Sequence, residues 1–236
     1  MLVVLQVDTK LLLNFIINPL ILIIFVILGV RKLRKGRISV LNLYLGTFFL
    51  FVVAGLSVNI LYAVLANVLS EAAYTFLNRL SSFLICFAII FILYFTIALK
   101  KGIAAITPKW RGIFFGAWIL ITGLLLFVGQ STLVSPGIVA WDPILGWYSL
   151  GVILGTYVLI LYYSFEILKV ISDRSLKFKF GAFVIGMTVL FAGLISTVLT
   201  HMALFPSLVS ALILAIGILP AGYMIYYGID KVQQAA

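Results

Sequence analysis

The amino-acid sequence predicts an all-α membrane protein, a seven-transmembrane helix bundle with its N-terminus outside and its C-terminus cytoplasmic. Three observations predict it. Of 236 residues, 65% are hydrophobic and 9% charged, with a mean hydropathy of +1.31, whereas an ordinary soluble domain is about half apolar and a quarter charged. The apolar residues fall into seven runs, each able to cross a hydrocarbon core of about 30 Å, which takes roughly 20 helical residues. The basic residues gather in alternate connections between those runs. Stretches such as Leu20 to Val30 and Phe83 to Phe95 are apolar on every side, unlike the alternating strands of a membrane barrel. The spans consume nearly the whole chain, so 1–236 reads as one transmembrane domain with no soluble domain.

The first span, about 11–30, carries Asn14 and Asn18 one helical turn apart, then Pro19, which can kink a helix. Its charges follow the apolar run, as in a reverse signal anchor and not a cleaved signal peptide. The second, about 39–64, holds Asn59 toward its far end. The third, about 80–99, contains the single cysteine, Cys86, a small packing residue that can form no internal disulfide. The fourth, about 113–130, ends at Gln130, and the fifth, about 147–168, opens on Trp147 and Tyr148 and closes past Glu166. Gly112–Gly116 and Gly151–Gly155, at these two spans, match the small-residue spacing that lets helices approach closely, read here as packing within one bundle. The sixth, about 180–202, ends with Thr197, Thr200 and His201. The seventh, about 207–228, opens on Ser207 and Ser210. Pro220 marks a hinge in it, and Tyr223, Tyr226 and Tyr227 fit an interfacial aromatic belt.

Orientation follows from lysine and arginine, which stay in cytoplasmic loops. Arg31, Lys32, Arg34, Lys35 and Arg37 fall between spans one and two, and Lys100, Lys101, Lys109 and Arg111 between three and four. Lys169, Arg174, Lys177 and Lys179 fall between five and six, and Lys231 follows the last span. That places 14 of 16 basic residues on one side, leaving Lys10 and Arg79 on the other with Asp8, Glu71 and Asp142. The net charge of +10 is therefore a topology signal and an attraction to anionic inner-leaflet lipid, not a nucleic-acid footprint. The expected location is the plasma membrane, as a multi-pass protein.

The composition also narrows the chemistry. His201 is the only histidine, which excludes bis-histidine haem and clustered histidine metal sites. No HExxH or GxSxG motif occurs, and no span carries a central pair of acids. No enzyme, metal or cofactor is expected. Retinal is excluded because the seventh span has no lysine to hold it.

Polar residues inside a span cost free energy unless they find partners, so their depth is informative. Asn14, Asn18, Asn59, Gln130, Thr197, Thr200, His201, Ser207 and Ser210 all fall at similar depth toward the outer side. Two readings stand. They are interhelical hydrogen-bonding residues, or they line a weakly polar ligand cavity open to the outside and rimmed by Trp141, Trp147 and Tyr148. On the inner side Glu166 and Lys169, three residues apart, form a local ion pair or, with Pro220, a switch.

With an Asn-Pro pair in the first span (Asn18-Pro19), a basic first cytoplasmic loop, short loops and seven helices, the chain resembles the seven-transmembrane sensor region of prokaryotic histidine kinases. That resemblance implies a receptor-like module that binds a small, weakly polar or apolar ligand from outside and signals through a separate membrane or cytoplasmic partner. A small transporter or channel, and a structural subunit of a membrane complex, remain the alternatives.

Overall fold

The computed structural model describes residues 13–34, 39–103, 107–135 and 138–230. Asp8, Lys10, Lys35, Arg37 and Lys231, used above to orient the chain, lie outside the described residues, as does the side chain of Asn14. Among the described residues, seven helices are long and apolar enough to cross a membrane.

A π-helical turn, Leu13–Ile17, leads into α1 (Asn18–Arg34). α2 (Val40–Val64), α3 (Glu71–Lys101) and α4 (Pro108–Gly123) follow, the last tightening into a 3₁₀ turn at Leu124–Leu126. An antiparallel hairpin of β1 (Ser131–Ser135) and β2 (Ile138–Trp141) comes next, paired Ser131 to Trp141 and Thr132 to Ala140. α5 (Pro143–Val170) and α6 (Arg174–His201) precede a seventh rod made of α7 (Ser207–Leu212), a π-helical stretch (Ile213–Ile218) and α8 (Leu219–Asp230).

Side-chain caps set most of the helix starts. Ser39, Ser70, Thr107, Asp142 and Asp173 each accept a hydrogen bond from a backbone N–H two or three residues on, satisfying donors that a helix start leaves open. Pro108 and Pro143 follow two of these caps, where a missing N–H costs nothing. Caps also explain where the sequence-predicted spans need correction. The third starts at Glu71, not near 80, because Ser70 caps it and an acid in the first turn suits the helix dipole. The fourth ends at Leu126, short of 130, and Gly129 turns the chain with φ 65°.

The two π-helical stretches share one cause. Each is followed by an α-helix whose second residue is proline, Pro19 in α1 and Pro220 in α8. Proline offers no N–H, and its ring crowds the carbonyl four residues back, so the regular ladder cannot run through Phe15 or Ile216. Pro220, where the sequence suggests a hinge, is thus preceded by a stretch of altered winding.

α3 lies at the centre, with 56% of its apolar window buried against 17% for α4. It packs on α2, α4 and α5, while α1 packs on α2, α5 on α6, and α6 on α8; α8 returns to α1 and closes the ring. α4 hangs outside this ring, packed principally on α3. Close approach at α2 and α3 depends on Gly55, whose carbonyl accepts from Ser81 Oγ at 2.8 Å and where an added Cβ would meet Ile85 Cγ1 at 2.5 Å. The GxxxG glycines behave differently from expectation. Among the described residues, nothing lies within 4 Å of a Cβ at Gly112, Gly116, Gly151 or Gly155, because their helix faces point away from the neighbouring helices.

Candidate functional site

The helix ends nearest the hairpin gather the polar residues singled out in the sequence. Asn18, at the start of α1, is buried; Asn59 and Tyr62 close α2; Thr197, Thr200 and His201 close α6; Ser207 and Ser210 open α7. These side chains line one cavity of about 150 Å³. Its remaining wall is apolar, with Phe25 from α1, Phe48 and Val52 from α2, Ile85 and Ile89 from α3, Leu190 and Leu194 from α6, and Leu214 and Ile218 from the second π-helical stretch. Among the described residues, no Asp, Glu, Lys or Arg belongs to the lining.

Most of the polar groups already have partners. Ser210 Oγ lies 3.2 Å from Ser196 Oγ, while Thr197 and Thr200 donate to the carbonyls four residues back in their own helix, Gly193 and Ser196. Asn59 Oδ1, by contrast, is buried without a hydrogen-bond partner among the described residues. Buried polar atoms are nearly always satisfied, so an orphan acceptor in a cavity wall marks a place where a guest can bind.

Gln130 does not join this group. It sits beyond the end of α4, and its backbone N–H donates to Asp142 Oδ2 at 2.8 Å, tying the base of the hairpin. The shorter fourth helix is the reason. Trp141 is likewise no rim residue: it is buried on β2, and its ring lies on the imidazole of His201. Trp147 is exposed, and Tyr148 donates its hydroxyl to the Ile121 carbonyl.

The hairpin is fastened to the bundle by side chains of α3 and α6. Arg79, on α3, donates to Ser131 Oγ, to the Leu126 carbonyl and to the Gly129 carbonyl, at 3.0, 3.1 and 2.8 Å. Trp141 Nε1–H donates to Asn78 Oδ1 at 2.9 Å, and Asn78 Nδ2–H donates to the Tyr62 hydroxyl at 3.0 Å. His201 Nδ1 lies 2.9 Å from the Val139 carbonyl. A carbonyl can only accept, so Nδ1 carries the proton in this bond. Two residues of the cavity wall, Tyr62 and His201, are thereby held by the hairpin.

At the other end, Lys169 Nζ meets Glu166 Oε1 at 2.8 Å as the spacing predicts, and Lys100 from α3 adds a second contact to Glu166 at 3.5 Å. Lys32, placed by its sequence in a loop, is fully buried with its ammonium 4.6 Å from the Tyr226 ring centre. α1 continues to Arg34, which carries Lys32 onto the face that meets α8. Tyr226 is therefore a packing partner, while Tyr223 and Tyr227 are exposed.

No protein-family model matches the chain, and no curated protein is significantly similar to it. Its functional reading rests on geometry alone.

The hairpin had a legible signal. Two short runs flank Pro136-Gly137, a turn dipeptide, and Asp142-Pro143 spells a helix start immediately after. The apolar wall had none, because Phe48 or Ile89 looks the same in sequence whether it faces a cavity, a neighbour or lipid.

Proposed function

We propose that this protein is a receptor-like membrane module that binds a small, neutral, weakly polar or apolar molecule and passes its occupancy to a separate protein. One observation carries the reading: Asn18, Asn59, Thr197, Thr200, His201, Ser207 and Ser210, from four different helices or helix segments, surround a single cavity whose described lining holds no formal charge when His201 is neutral. Interhelical hydrogen bonding alone does not require the residues to enclose a space. The absence of charge in the wall favours recognition over catalysis or ion-coupled transport, both of which use ionisable groups.

In this reading the bundle spans the plasma membrane with the hairpin outside and the basic helix ends in the cytoplasm, where they meet anionic lipid. A cysteine placed at Ser131 should then react with an impermeant thiol reagent added outside intact cells, and one at Lys109 should not. The reverse pattern would invert the assignment.

Ligand binding is tested with purified protein and a panel of neutral alcohols, amides and alkanes, scored by native mass spectrometry. Binding that is weakened by Asn59→Leu while the protein keeps its thermal stability supports the reading. No bound guest from the whole panel would overturn it.

A subunit of a membrane assembly is the second reading, favoured by one specific observation. The outward faces of α4 and α5 present Gly112, Gly116, Gly151 and Gly155 with no neighbour, beside exposed Trp110, Phe114 and Val158. Such faces suit close helix association in lipid.

A further inference from the structure

The size of the cavity and the hydrogen bonds of its wall together limit what it can hold. A residue that borders open space large enough for water keeps part of its own surface accessible. Phe25, Phe48, Ile89 and Leu190 are at most 3% exposed, so neighbours close over them and the open part of the cavity lies elsewhere in the lining. It is bounded by lining residues that are only partly buried, among them Leu56 and Asn59 on α2, Ile85 on α3, Leu194 and Thr197 on α6, and Leu214 in the second π-helical stretch. Its volume is about 150 Å³, the size at which an apolar cavity takes up benzene.

One polar point interrupts this largely aliphatic surround. Among the described lining residues, Asn59 Oδ1 is the buried side-chain atom without a hydrogen-bond partner, and an amide oxygen can only accept. The hydroxyl protons of Thr197 and Thr200 are already given to the Gly193 and Ser196 carbonyls, so the threonines have no donor left for a guest. Water alone suits such a wall poorly. Each buried molecule needs about two to four polar partners, and Leu56, Ile85, Leu194 and Leu214 offer none.

We infer that the guest is a compact neutral molecule of about one six-membered ring, carrying a hydroxyl or N–H donor that it gives to Asn59 Oδ1; phenol is the simplest member of the class. This rests on the ligand-binding reading above and specifies the class of ligand. Compactness follows from the volume, and neutrality from a described lining without Asp, Glu, Lys or Arg. The donor follows from the unpartnered acceptor. Ethers, ketones and hydrocarbons of the same size fill the space but bring nothing to that oxygen.

The test uses purified full-length protein in detergent micelles and two isosteric probes, 4-fluorophenol and 4-fluorotoluene, read by fluorine NMR. Only the first has a donor. Both should bind saturably, and the ratio of their dissociation constants is measured in the unmodified protein and in Asn59→Leu. In the variant the ratio should move toward the fluorotoluene by at least about threefold, near the low end of what one hydrogen bond contributes. Taking the ratio within each protein cancels the different partitioning of the probes into micelles. Phenol and p-cresol should displace 4-fluorophenol from the unmodified protein, and 4-butylphenol should not. That series does not depend on the variant, so the inference stays testable if Asn59→Leu fails to fold. An unchanged ratio would overturn the donor, and displacement by 4-butylphenol as strong as that by phenol would overturn the one-ring limit; in both cases a ligand cavity still stands. If neither probe binds saturably, the one-ring guest is overturned, and the ligand-binding reading falls with it when the wider panel is also silent.

Discussion

The indole of Trp141 lies flat on the imidazole of His201, ring centroids 4.7 Å apart and planes 10° from parallel. One ring belongs to a hairpin strand and the other to the last turn of a membrane-length helix. The contact joins the hairpin to the cavity wall. Trp141→Phe keeps a stacked ring but strands Asn78 Oδ1, which loses its 2.9 Å donor. Leaving a buried acceptor unsatisfied costs about 1–3 kcal/mol. Trp141→Ala should cost more, about 3–5 kcal/mol as for other large buried aromatics. Thermal unfolding of the two variants in one detergent checks the order.

Asn59 and Asn78 make an opposed pair. Asn78 bridges Tyr62 and Trp141, whereas Asn59 Oδ1 has no hydrogen-bond partner among the described residues. Asn78→Leu should therefore destabilise by at least about 1–3 kcal/mol, while Asn59→Leu should be neutral or stabilising because it removes an unsatisfied acceptor. Equal losses in both, measured by chemical or thermal denaturation, would identify Asn59 as structural.

Arg79 is the anchor of the hairpin. Each charge-assisted hydrogen bond is worth about 1.5–3 kcal/mol, and the sum is not additive. Arg79→Met should raise amide exchange across Ser131–Ser135 and Ile138–Trp141 at least tenfold, with little change in the deep halves of α2 and α6. Exchange that rises uniformly over the bundle would instead mean that the anchor supports the whole fold.

The glycines separate into two classes that one pair of substitutions distinguishes. Gly55→Val drives new atoms against Ile85 Cγ1 and the Ser81 carbonyl, and overpacking of that kind costs about 1–3 kcal/mol. Gly151→Val meets open space in the bundle and should change stability by no more than about 0.5 kcal/mol. If Gly151→Val instead shifts the oligomeric state in native mass spectrometry, the outward glycine face is an association surface.

How much of this was legible in sequence depends on the kind of signal. Helix number was legible because length and hydropathy are one-dimensional properties, and the caps at Ser70, Thr107 and Asp142 correct the boundaries by the same local chemistry that a sequence displays. The depth rule brought Asn18, Asn59, Thr197, Thr200, His201, Ser207 and Ser210 together on paper because antiparallel helices of similar length align their ends. It failed for Gln130, where the helix stopped early and the chain turned into the hairpin. Lys32 was misassigned because charge alone does not reveal that a helix continues past its apolar run and lays a lysine stem along Tyr226. The unpacked faces of Gly112 and Gly151 were beyond reach, since the same spacing serves neighbours inside and outside a bundle.

Arg79 and Asp142, the two charges that frame the hairpin, are both engaged with backbone groups: the guanidinium with the Leu126 and Gly129 carbonyls, and the carboxylate with the Gln130 and Leu145 amides. The described lining of the cavity holds no Asp, Glu, Lys or Arg. An elementary charge crossing a membrane field exchanges about 2.3 kcal/mol per 100 mV, and a neutral guest moving among neutral walls exchanges none of it. Occupancy of such a cavity would follow what is dissolved around the protein and stay indifferent to the voltage across it.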